Sequence, residues 1–593
     1  MALPAEHDPT PATSASPAAH LLVEVYGAYR DQFDLVTRRA AARFAHRDWA
    51  GGQRDARERL LLYRQFVHWV RDDLATQLGS HYRDGATWAL IKERYATLTR
   101  DRQDREIART FFNSVVRRVC GTVGVDPRCE FLGAEYHCGG ANHEVIPLRY
   151  DASGGIAEAL AGILDGSGLS GPWLDRGRDL QLGAAEVERE CAARGRPRAF
   201  EIVPAVFYRN RAAYLVGRVL TDRGPIPLVI AVVQDPGGGG MVIDAVLLSS
   251  DEASVVFGFT RSYFHADTPE PGGVVAFLRS MLPAKGRHEL YTALGFNRHG
   301  KSELYHLLRT ELEQGRALLE PAAGEPGLVM TVFRCPALKV VFKIIRDRFG
   351  APKHTTRRAV REKYHLVFVH DRVGRLADAQ EFEALECRRE WFAPELLAEL
   401  RDTAGRTVTV EGDRVVIGHL YTEREVEPLD VFLKRAEPEQ ARRAIVDYGN
   451  AIRDLAAANI FTGDMLLKNF GVTRHGRVIF YDYDELCLLT DCRFRDLPSA
   501  SHPDDDLAAE PWFHVGDHDV FPETFGPFLV PAGPLGDRFL EAHRELLTLD
   551  YWTSMQARQR AGEIVEFFPY SQSRRIGFRG HRGPSPAHRP AEG

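Results

Sequence analysis

The spacing of apolar residues changes along the chain from a helical repeat to a strand repeat. One helix face near the start is formed by Leu22, Val25, Tyr26, Tyr29, Phe33 and Val36. A second helical run contains Leu61, Leu62, Phe66, Trp69 and Val70. Apolar residues then recur with a period of two in the segments 202–208, 214–220, 228–233 and 241–248, which predicts an antiparallel meander. Glycines 237–240 lie between two of these segments and indicate a turn rather than a dinucleotide-binding loop.

A lysine lies inside a later pair of predicted strands. The glycine turn 324–327 precedes the apolar run 328–333, and Lys343 lies among apolar neighbours in the run 339–345. Burying a cationic side chain costs free energy unless an anion meets it, and a nucleotide phosphate is such an anion. The alternative is a surface hairpin in which Lys343 extends to water. Lys339 is the second candidate for the same role.

Three polar residues farther along have the spacing of a kinase-like active site. Asn469 follows Asp464 by five positions, and Asp482 comes directly after the strand-like run 478–481. Protein kinases use such a set to aim a hydroxyl group and to hold magnesium through oxygen ligands. The pattern therefore predicts phosphoryl transfer. The alternative is that Asp464 caps the helix-like segment 465–469 and that Asp482 starts a turn.

Composition narrows the setting of the protein. A chain of 593 residues with 44% hydrophobic content and a net charge of −6 can form several cores and has no general attraction to nucleic acid or acidic membranes. The eight cysteines include no CxxC pair. The sequence has neither an apolar run of about 20 residues nor a charged-then-apolar leader. We expect a cytoplasmic protein with reduced thiols, no membrane segment and no nucleic-acid partner.

The predicted domain organisation is α+β throughout. We expect a Pro/Ala/Ser-rich disordered segment over 1–19 and a mixed helical and antiparallel-sheet regulatory domain over 20–318. A bilobal protein-kinase-like domain is expected over 319–573, and a disordered basic tail over 574–593.

Two other functions are alternatives to protein phosphorylation by the kinase-like residues. The segment Gly295–Ser302 matches the P-loop pattern GxxxxGK[ST], but the preceding residues 287–294 are polar and helical in pattern. A true P-loop requires an apolar strand at that position. The other alternative is a pseudokinase-like adaptor that binds nucleotide without turnover, and assays of ATP turnover with magnesium distinguish it from an enzyme.

Several longer motifs connect the chain to a known family. They are the segments 373–382, 419–424, 510–512 and 519–523, and the stretch from Ala561–Gly562 to 568–570. Over residues 20–575 the chain resembles bacterial isocitrate dehydrogenase kinase/phosphatase. The resemblance implies an enzyme that uses ATP to phosphorylate a serine of isocitrate dehydrogenase, which inactivates that protein, and that also removes the phosphate. Such an enzyme controls flux into the glyoxylate bypass. AMP and central metabolites are the implied effectors. The sequence does not decide whether the protein forms a homodimer.

The resemblance also implies a role for individual residues. The family's nucleotide loop matches Ala322, Ala323, Gly324, Glu325, Pro326, Gly327 and Leu328. Its ATP-binding lysine matches Lys343 and its active-site aspartate matches Asp378. The kinase-like base matches Asp464, and Asn469 and Asp482 match the ligands of Mg²⁺, for which Mn²⁺ is an alternative. ATP and ADP are the implied nucleotides.

The residues of this site differ from those of ordinary kinases, and the differences lead to further predictions. Asp484 stands where kinases have glycine, two positions after Asp482 in a segment expected to be extended, so both carboxylates should face one side. We expect Asp484 to direct water at phosphoserine; the alternative is that it caps a turn. Asp378 should precede a helical run, and one glutamate of that run should pair with Lys343. The candidates are Glu381, Glu383, Glu386 and Glu390. Adenine should lie against the connector 423–426.

Overall fold

A computed structural model describes residues 11–133, 145–258, 263–322, 327–351, 353, 355–370, 372–498, 513–516, 518–565 and 567–577. The described residues form two compact units. The first contains residues up to Gly258, from Tyr263 to Leu307 and from Phe568 onward, and the second contains Leu308–Phe567. Each unit combines helices with an antiparallel sheet, so the predicted α+β class is confirmed.

Helices dominate the start of the first unit. They are α1 Pro11–Ala45, α2 Trp49–Leu78, α3 Gly85–Leu98 and α4 Arg105–Cys120. The predicted face of α1, from Leu22 to Val36, is buried. In α2 the buried face contains Leu62, Val70 and Leu74, whereas Leu61 and Trp69 are about half exposed. The predicted helical run is confirmed, and Leu61 and Trp69 lie beside its buried stripe.

The prediction of disorder up to residue 19 is wrong from Pro11 onward, because α1 begins there. Alanine has the highest intrinsic helix propensity, and a small side chain allows close packing. Ala15, Ala18 and Ala19 are buried in the core of the first unit. The same small residues that suggested a disordered leader therefore form a packed helical turn.

The sheet of the first unit is the predicted meander with added edge strands. Its strands are β1 Leu148–Asp151, β2 Pro197–Arg209, β3 Ala212–Thr221, β4 Gly224–Gln234, β5 Met241–Leu247 and β6 His265–Ala266. They pair in the order β1-β2-β3-β4-β5, with β6 beside β2. The other helices that begin in this unit are α5 Ile156–Gly166, α6 Arg176–Cys191, α7 Ser250–Val256, α8 Pro271–Met281, α9 Arg287–Ala293 and α10 Asn297–Glu313. Glycines 237–240 form the predicted turn between β4 and β5.

The basic tail is ordered at its start, which contradicts the predicted disorder from residue 574. Arg575 pairs with Asp244 at 2.9 Å, and Ile576 is buried and donates its N–H to Asp244 O over 2.7 Å. Asp244 lies in the fully buried strand β5, so its carboxylate needs a buried partner. This pairing holds the segment up to Gly577. Residues 578–593 lie outside the described residues.

The second unit joins an antiparallel sheet to a mostly helical part. The sheet strands are β7 Glu320–Pro321, β8 Met330–Cys335, β9 Val340–Ile345, β10 Ala379–Arg388, β11 Val408–Glu411 and β12 Arg414–Arg424. They pair in the order β10-β12-β9-β8-β7, with β11 beside β12. Helices α11 Arg357–His370 and α12 Pro394–Ala404 accompany this sheet in sequence.

The remaining elements carry the loops of interest. The helices are α13 Leu429–Arg435, α14 Pro438–Ala457, α15 Gly526–Leu529, α16 Pro534–His543 and α17 Leu549–Arg560. The strands are β13 Glu427–Pro428, β14 Ile460–Phe461, β15 Phe470–Val472, β16 Val478–Phe480, β17 Cys487–Leu488, β18 Arg493–Phe494 and β19 Asp519–Val520. β13, β15 and β16 form one small sheet, β14 pairs with β17, and β18 pairs with β19. In the described part of the chain, no helix has the length and apolarity needed to cross a membrane.

Candidate active site

Lys343 is buried in a central strand of the second unit. It lies in β9 opposite Val332 of β8 and Tyr421 of β12. Its Nζ is 2.8 Å from Glu423 Oε2 and donates to the Tyr481 carbonyl over 2.8 Å. Burial raises the pKa of Glu423, and the positive charge of Lys343 opposes that shift. Because Lys343 is buried, the alternative of a surface hairpin does not hold. Lys339, the second candidate, is exposed in the turn before β9.

The acidic partner of Lys343 was wrongly predicted. Glu381, Glu383 and Glu386 lie in strand β10 rather than in a helix, and Glu390 lies in the 3-10 turn after it. Ala384 has a φ of +50°, and the buried side chains Phe382 and Leu385 on either side of it are three positions apart. That spacing resembles a helical repeat in the sequence although the segment pairs with β12. Glu381 instead lies 2.6 Å from His419 Nε2.

A tyrosine takes the place that a glutamate occupies in protein kinases. In kinases the strand lysine pairs with a glutamate of helix αC. Here α11 supplies Tyr364, whose hydroxyl donates to Glu423 Oε1 over 3.3 Å. Its ring stacks on Tyr421 with centroids 3.7 Å apart. The Lys343–Glu423 pair is therefore fixed from both the sheet and the helix.

The loop that carries Asp464 depends on a glycine. Gly463 has a φ of +72°, and a Cβ at this position would lie 2.6 Å from the Cβ of Glu485. This close approach and the positive φ both require glycine. Asp464 Oδ1 accepts the N–H of Leu466 over 3.1 Å, so the carboxylate also holds a turn, as the alternative predicted.

Tyr481 connects three of the predicted site residues. Its carbonyl oxygen accepts a hydrogen bond from Lys343 Nζ, and its N–H donates one to Asn469 O over 3.1 Å. Asp482 is the next residue along the chain, directly after β16 and Tyr481. Asn469 is buried at the end of a 3-10 turn and donates through Nδ2 to Asp464 O over 3.4 Å. The structure thus brings Lys343, Asp464, Asn469 and Asp482 together.

Negative charge accumulates around Asp482 and Asp484. Burial raises the pKa of Asp482, and the nearby Asp464 raises it further. Burial, followed by the charge of Asp482, raises the pKa of Asp484 to about 7. Residues 484 and 485 form a turn, so the predicted extended segment ends at Tyr483. The Asp484 N–H nevertheless lies 3.5 Å from Asp482 Oδ1, so the two residues are close to each other.

Lys353 is a cation at this site that sequence reasoning missed. It forms an ion pair with Glu485, and its charge opposes the raised pKa of both Asp482 and Asp484. It lies in a connection without a regular apolar repeat, which explains why no pattern pointed to it. The site thus contains two lysines, each paired with a glutamate, and three aspartates. The lysines are Lys343 and Lys353, and the aspartates are Asp464, Asp482 and Asp484.

Asp378 is held next to the strand that leads to Asp482. Ala377 donates its N–H to Phe480 O over 2.9 Å, and the Tyr483 hydroxyl donates to Ala377 O over 2.6 Å. Arg375, buried and also missed by sequence reasoning, anchors this segment to α14. Its Nη1 and Nη2 donate to Asp447 over 2.7 and 2.8 Å, and its Nε donates to Asp454 over 2.7 Å.

The predicted nucleotide loop is described at its two ends. Ala322 follows β7 and donates its N–H to Val332 O over 3.3 Å. Leu328 O accepts the N–H of Gly350 over 3.0 Å, and Gly327 O accepts from Arg346. Ala323, Gly324, Glu325 and Pro326 lie outside the described residues. The loop lies between β7 and β8 of the sheet that holds Lys343, and its nucleotide role stays a prediction.

The P-loop alternative is not supported by the fold. The residues before Gly295 form helix α9 rather than a strand, and Arg298–Ser302 lies within α10. A Cβ at Gly300 would lie 2.2 Å from Thr292 Oγ1 and 2.6 Å from His288 O. A Cβ at Gly295 would meet the guanidinium of Arg59. Both glycines are therefore required by packing.

Comparison with known proteins divides the chain within about ten residues of the boundary between the two units. The family model for the isocitrate dehydrogenase kinase/phosphatase (AceK) regulatory domain matches residues 19–316. The model for the kinase domain of that protein matches residues 317–572.

Three curated relatives are similar over nearly their whole length, and each bears the name isocitrate dehydrogenase kinase/phosphatase. The protein from Anaeromyxobacter sp. (strain Fw109-5) is 46% identical over 95% of this chain and 98% of its own length. That of Anaeromyxobacter dehalogenans (strain 2CP-C) is 48% identical over 94% and 97%. That of Xanthomonas euvesicatoria pv. vesicatoria (strain 85-10) is 40% identical over 96% and 100%.

Proposed function

The chain belongs to the isocitrate dehydrogenase kinase/phosphatase family, and from this premise we propose that it phosphorylates a serine of isocitrate dehydrogenase with ATP and also removes that phosphate. The observation that carries the proposal is the junction at Tyr481. Its backbone joins Lys343 to Asn469, and Asp482 follows it directly. The ammonium of Lys343, the amide of Asn469 and the carboxylate of Asp482 are thereby close together, as phosphoryl transfer requires.

The acidic cluster fits a hard divalent cation. Asp482 and Asn469 offer carboxylate and amide oxygens, which are the ligand types that Mg²⁺ and Mn²⁺ accept. Burial raises the pKa of Asp482 and the charge of Asp464 adds to the rise, and a cation there would offset the repulsion between the carboxylates. When bound, the ion would neutralise phosphate charge in the transition state. We assign Asn469 and Asp482 as its ligands.

In the forward direction the side chains position the reactants and remove a proton. Lys343 donates to nucleotide phosphates, which requires it to share its protons between Glu423 and the ligand. We assign the segment 322–328, of which Ala322, Gly327 and Leu328 are described, to the phosphates and the connector 423–426 to adenine. Asp464 accepts the proton of the serine hydroxyl as that oxygen attacks the γ-phosphorus. The bond from the γ-phosphorus to the bridging oxygen breaks, and ADP leaves.

In the reverse direction water replaces the serine hydroxyl as the nucleophile. We assign Asp484 to orient this water and to accept its proton, because its N–H contacts Asp482 and the next residue, Glu485, pairs with Lys353. The bond between phosphorus and the serine oxygen breaks, the serine oxygen takes up a proton, and inorganic phosphate leaves. Asp378, held against the same segment by the Tyr483–Ala377 contact, is assigned to the active site.

The direct test is a two-direction assay on purified isocitrate dehydrogenase. With ATP labelled at the γ-phosphate and Mg²⁺, we expect label on a serine of isocitrate dehydrogenase. Incubation of the isolated labelled product with this enzyme should release labelled phosphate. Nucleotide binding without turnover would favour the adaptor alternative, and ATP hydrolysis without labelled protein would contradict the assigned substrate.

The variant Asp484→Ala tests how the two directions are divided. We expect phosphatase activity to fall ~10²-fold or more, as for loss of a general base, while kinase activity changes much less. The exposed Asp491→Ala is the matched control and should leave both activities near wild type. Equal loss of both activities, or loss of neither, would rule out the role of Asp484.

Control of the glyoxylate bypass, a cytoplasmic location, response to AMP or central metabolites and assembly as a homodimer stay predictions.

A further inference from the structure

Two cysteines lie side by side just beyond the acidic segment. Cys487 begins β17, Cys492 follows the 3-10 turn 489–491, and their Sγ atoms are 3.6 Å apart. A disulfide has an S–S distance of about 2.05 Å, so bond formation requires an approach of only about 1.6 Å. Cys487 is half-buried and Cys492 is buried, so an oxidant reaches Cys487 first.

The chemical environment distinguishes this pair from the other described cysteines. A hydrogen bond with Cys492 lowers the pKa of Cys487, which favours the reactive thiolate. Burial instead raises the pKa of the other cysteines in the described ranges, namely Cys120, Cys129, Cys191, Cys335 and Cys387. Cys487 is therefore the thiol of the described chain best suited to react, and its partner is already adjacent.

The surroundings determine which cysteine moves when the bond forms. Gln556 of α17 donates to both Leu489 O and Cys492 O over 2.7 Å. Leu489 also donates its N–H to Asn459 O over 3.1 Å. These contacts hold the Cys492 side in place. The Cys487 side must therefore move to close the gap.

Cys487 is directly connected to the loops of the candidate active site. β17 pairs with β14 through Phe461↔Cys487, and β14 leads into Gly463 and Asp464. On the other side Cys487 follows Glu485 closely, whose backbone and Cβ pack against Gly463. A shift of Cys487 thus displaces both the Asp464 loop and the segment that carries Asp484.

We propose that Cys487 and Cys492 form a reversible intramolecular disulfide that lowers phosphoryl transfer at the adjacent acidic cluster. The effect on activity rests on the proposed function, whereas the disulfide itself does not. With a peroxide, the Cys487 thiolate attacks one peroxide oxygen, the O–O bond breaks, and a sulfenic acid and one water result after protonation. The Cys492 sulfur then attacks the sulfenic sulfur, the S–S bond forms and a second water leaves. A dithiol reductant reverses the change by thiol–disulfide exchange.

The test uses the full-length protein and a convenient pair of tryptic cleavage sites. Cleavage after Arg477 and Arg493 releases a single peptide, residues 478–493, that contains both cysteines. The protein is treated with hydrogen peroxide, its free thiols are alkylated, and it is digested. We expect this peptide to be two hydrogen atoms lighter and unalkylated. After dithiothreitol it should carry two alkyl groups, and a severalfold loss of kinase activity should recover in parallel.

Variants separate the disulfide from other oxidation. Cys487→Ser and Cys492→Ser should each keep basal activity and become insensitive to peroxide, while the control Cys191→Ser should stay sensitive. Peroxide-treated wild type whose peptide still takes up two alkyl groups would overturn the proposal. A disulfide without loss of activity, or unchanged sensitivity in both Ser variants, would overturn its regulatory part. An untreated protein without kinase activity would refute the proposed function, and the peptide mass would still decide whether the disulfide forms.

Discussion

Two segments of this chain contain a lysine suited to phosphate binding, and their surroundings differ. Lys301 belongs to Gly295–Ser302, which matches the P-loop pattern in every defined position but lies at a helix–helix junction of the first unit. Lys343 has no such signature around it, yet it is buried in a sheet and is linked through Tyr481 to Asn469 and Asp482 in the second unit. A short pattern is therefore weaker evidence of a site than the elements around it.

The charged side chains around the first segment pair with one another. Arg287 lies 3.0 Å from Glu106 and 3.1 Å from Glu303. His299, inside the P-loop pattern, has its Nδ1 2.8 Å from Thr110 Oγ1. In the second segment three aspartates face two lysines that have glutamate partners. The excess negative charge in the second segment indicates a place for a cation.

The largest expected effect is that of Asp464→Asn. The amide keeps the size of the side chain but cannot accept the serine proton, so phosphoryl transfer should fall by ~10²- to 10⁴-fold. Nucleotide affinity should change little. Asp550→Asn, at an exposed position of α17, is the matched control. Transfer at the wild-type rate in the Asp464 variant would mean that its spacing from Asn469 is accidental.

Lys343→Ala and Lys301→Ala compare the two segments directly. Loss of one preorganised charge at the phosphates should lower kinase turnover by ~10²- to 10³-fold in the Lys343 variant. The Lys301 variant should stay within severalfold of wild type, because Lys301 lies within α10 and outside the proposed site. Circular dichroism of both variants checks that they fold. The opposite ranking would favour the P-loop alternative.

The smallest expected effect concerns the cluster of Glu106, Arg287, His299 and Glu303 and is one of stability. Burial raises the pKa of Glu303 to about 7, an effect that Arg287 opposes and Glu106 reinforces; His299 and Arg279 also lie close. Because the folded state holds this proton more tightly than the unfolded state, the contribution is complete below pH 4.5 and is lost as pH rises through 7. Glu303→Gln should flatten the fall in Tm over this window by a few degrees. An unchanged pH profile of Tm would show that Glu303 does not titrate there.

Much of the fold could be predicted because apolar periodicity is local. Strands β2 to β5 could be recognised as short apolar runs bounded by turns, but the predicted alternation was wrong, because β5 and most of β3 and β4 are buried on both faces. The apolar face of α1 repeats every three or four residues. Strand β10 was misjudged because the φ of +50° at Ala384 disturbs the pleat and spaces buried residues like a helix. The ordered segments 11–19 and 574–577 were missed for a related reason, since Ala-rich and Arg-rich segments carry no periodic signal of their own.

The candidate site could be predicted only in part. Lys343, Asp464, Asn469 and Asp482 share motifs with the family and lie together. The partner of Lys343 depends on the register Lys343↔Tyr421 between strands that are distant in sequence, which no local pattern specifies. An acid within the apolar end of β12 was nevertheless a signal for Glu423. Lys353 and Arg375 lie in irregular connections, where tertiary contacts alone assign a role.

A crystal structure with Mg²⁺ and a non-hydrolysable ATP analogue tests the central claim most directly. We expect phosphate oxygens within hydrogen-bond distance of Lys343 Nζ, the metal ion on Asn469 and Asp482, and adenine against the connector 423–426. A nucleotide bound at Gly295–Ser302 instead, or a metal ion without contact to Asp482, would contradict it.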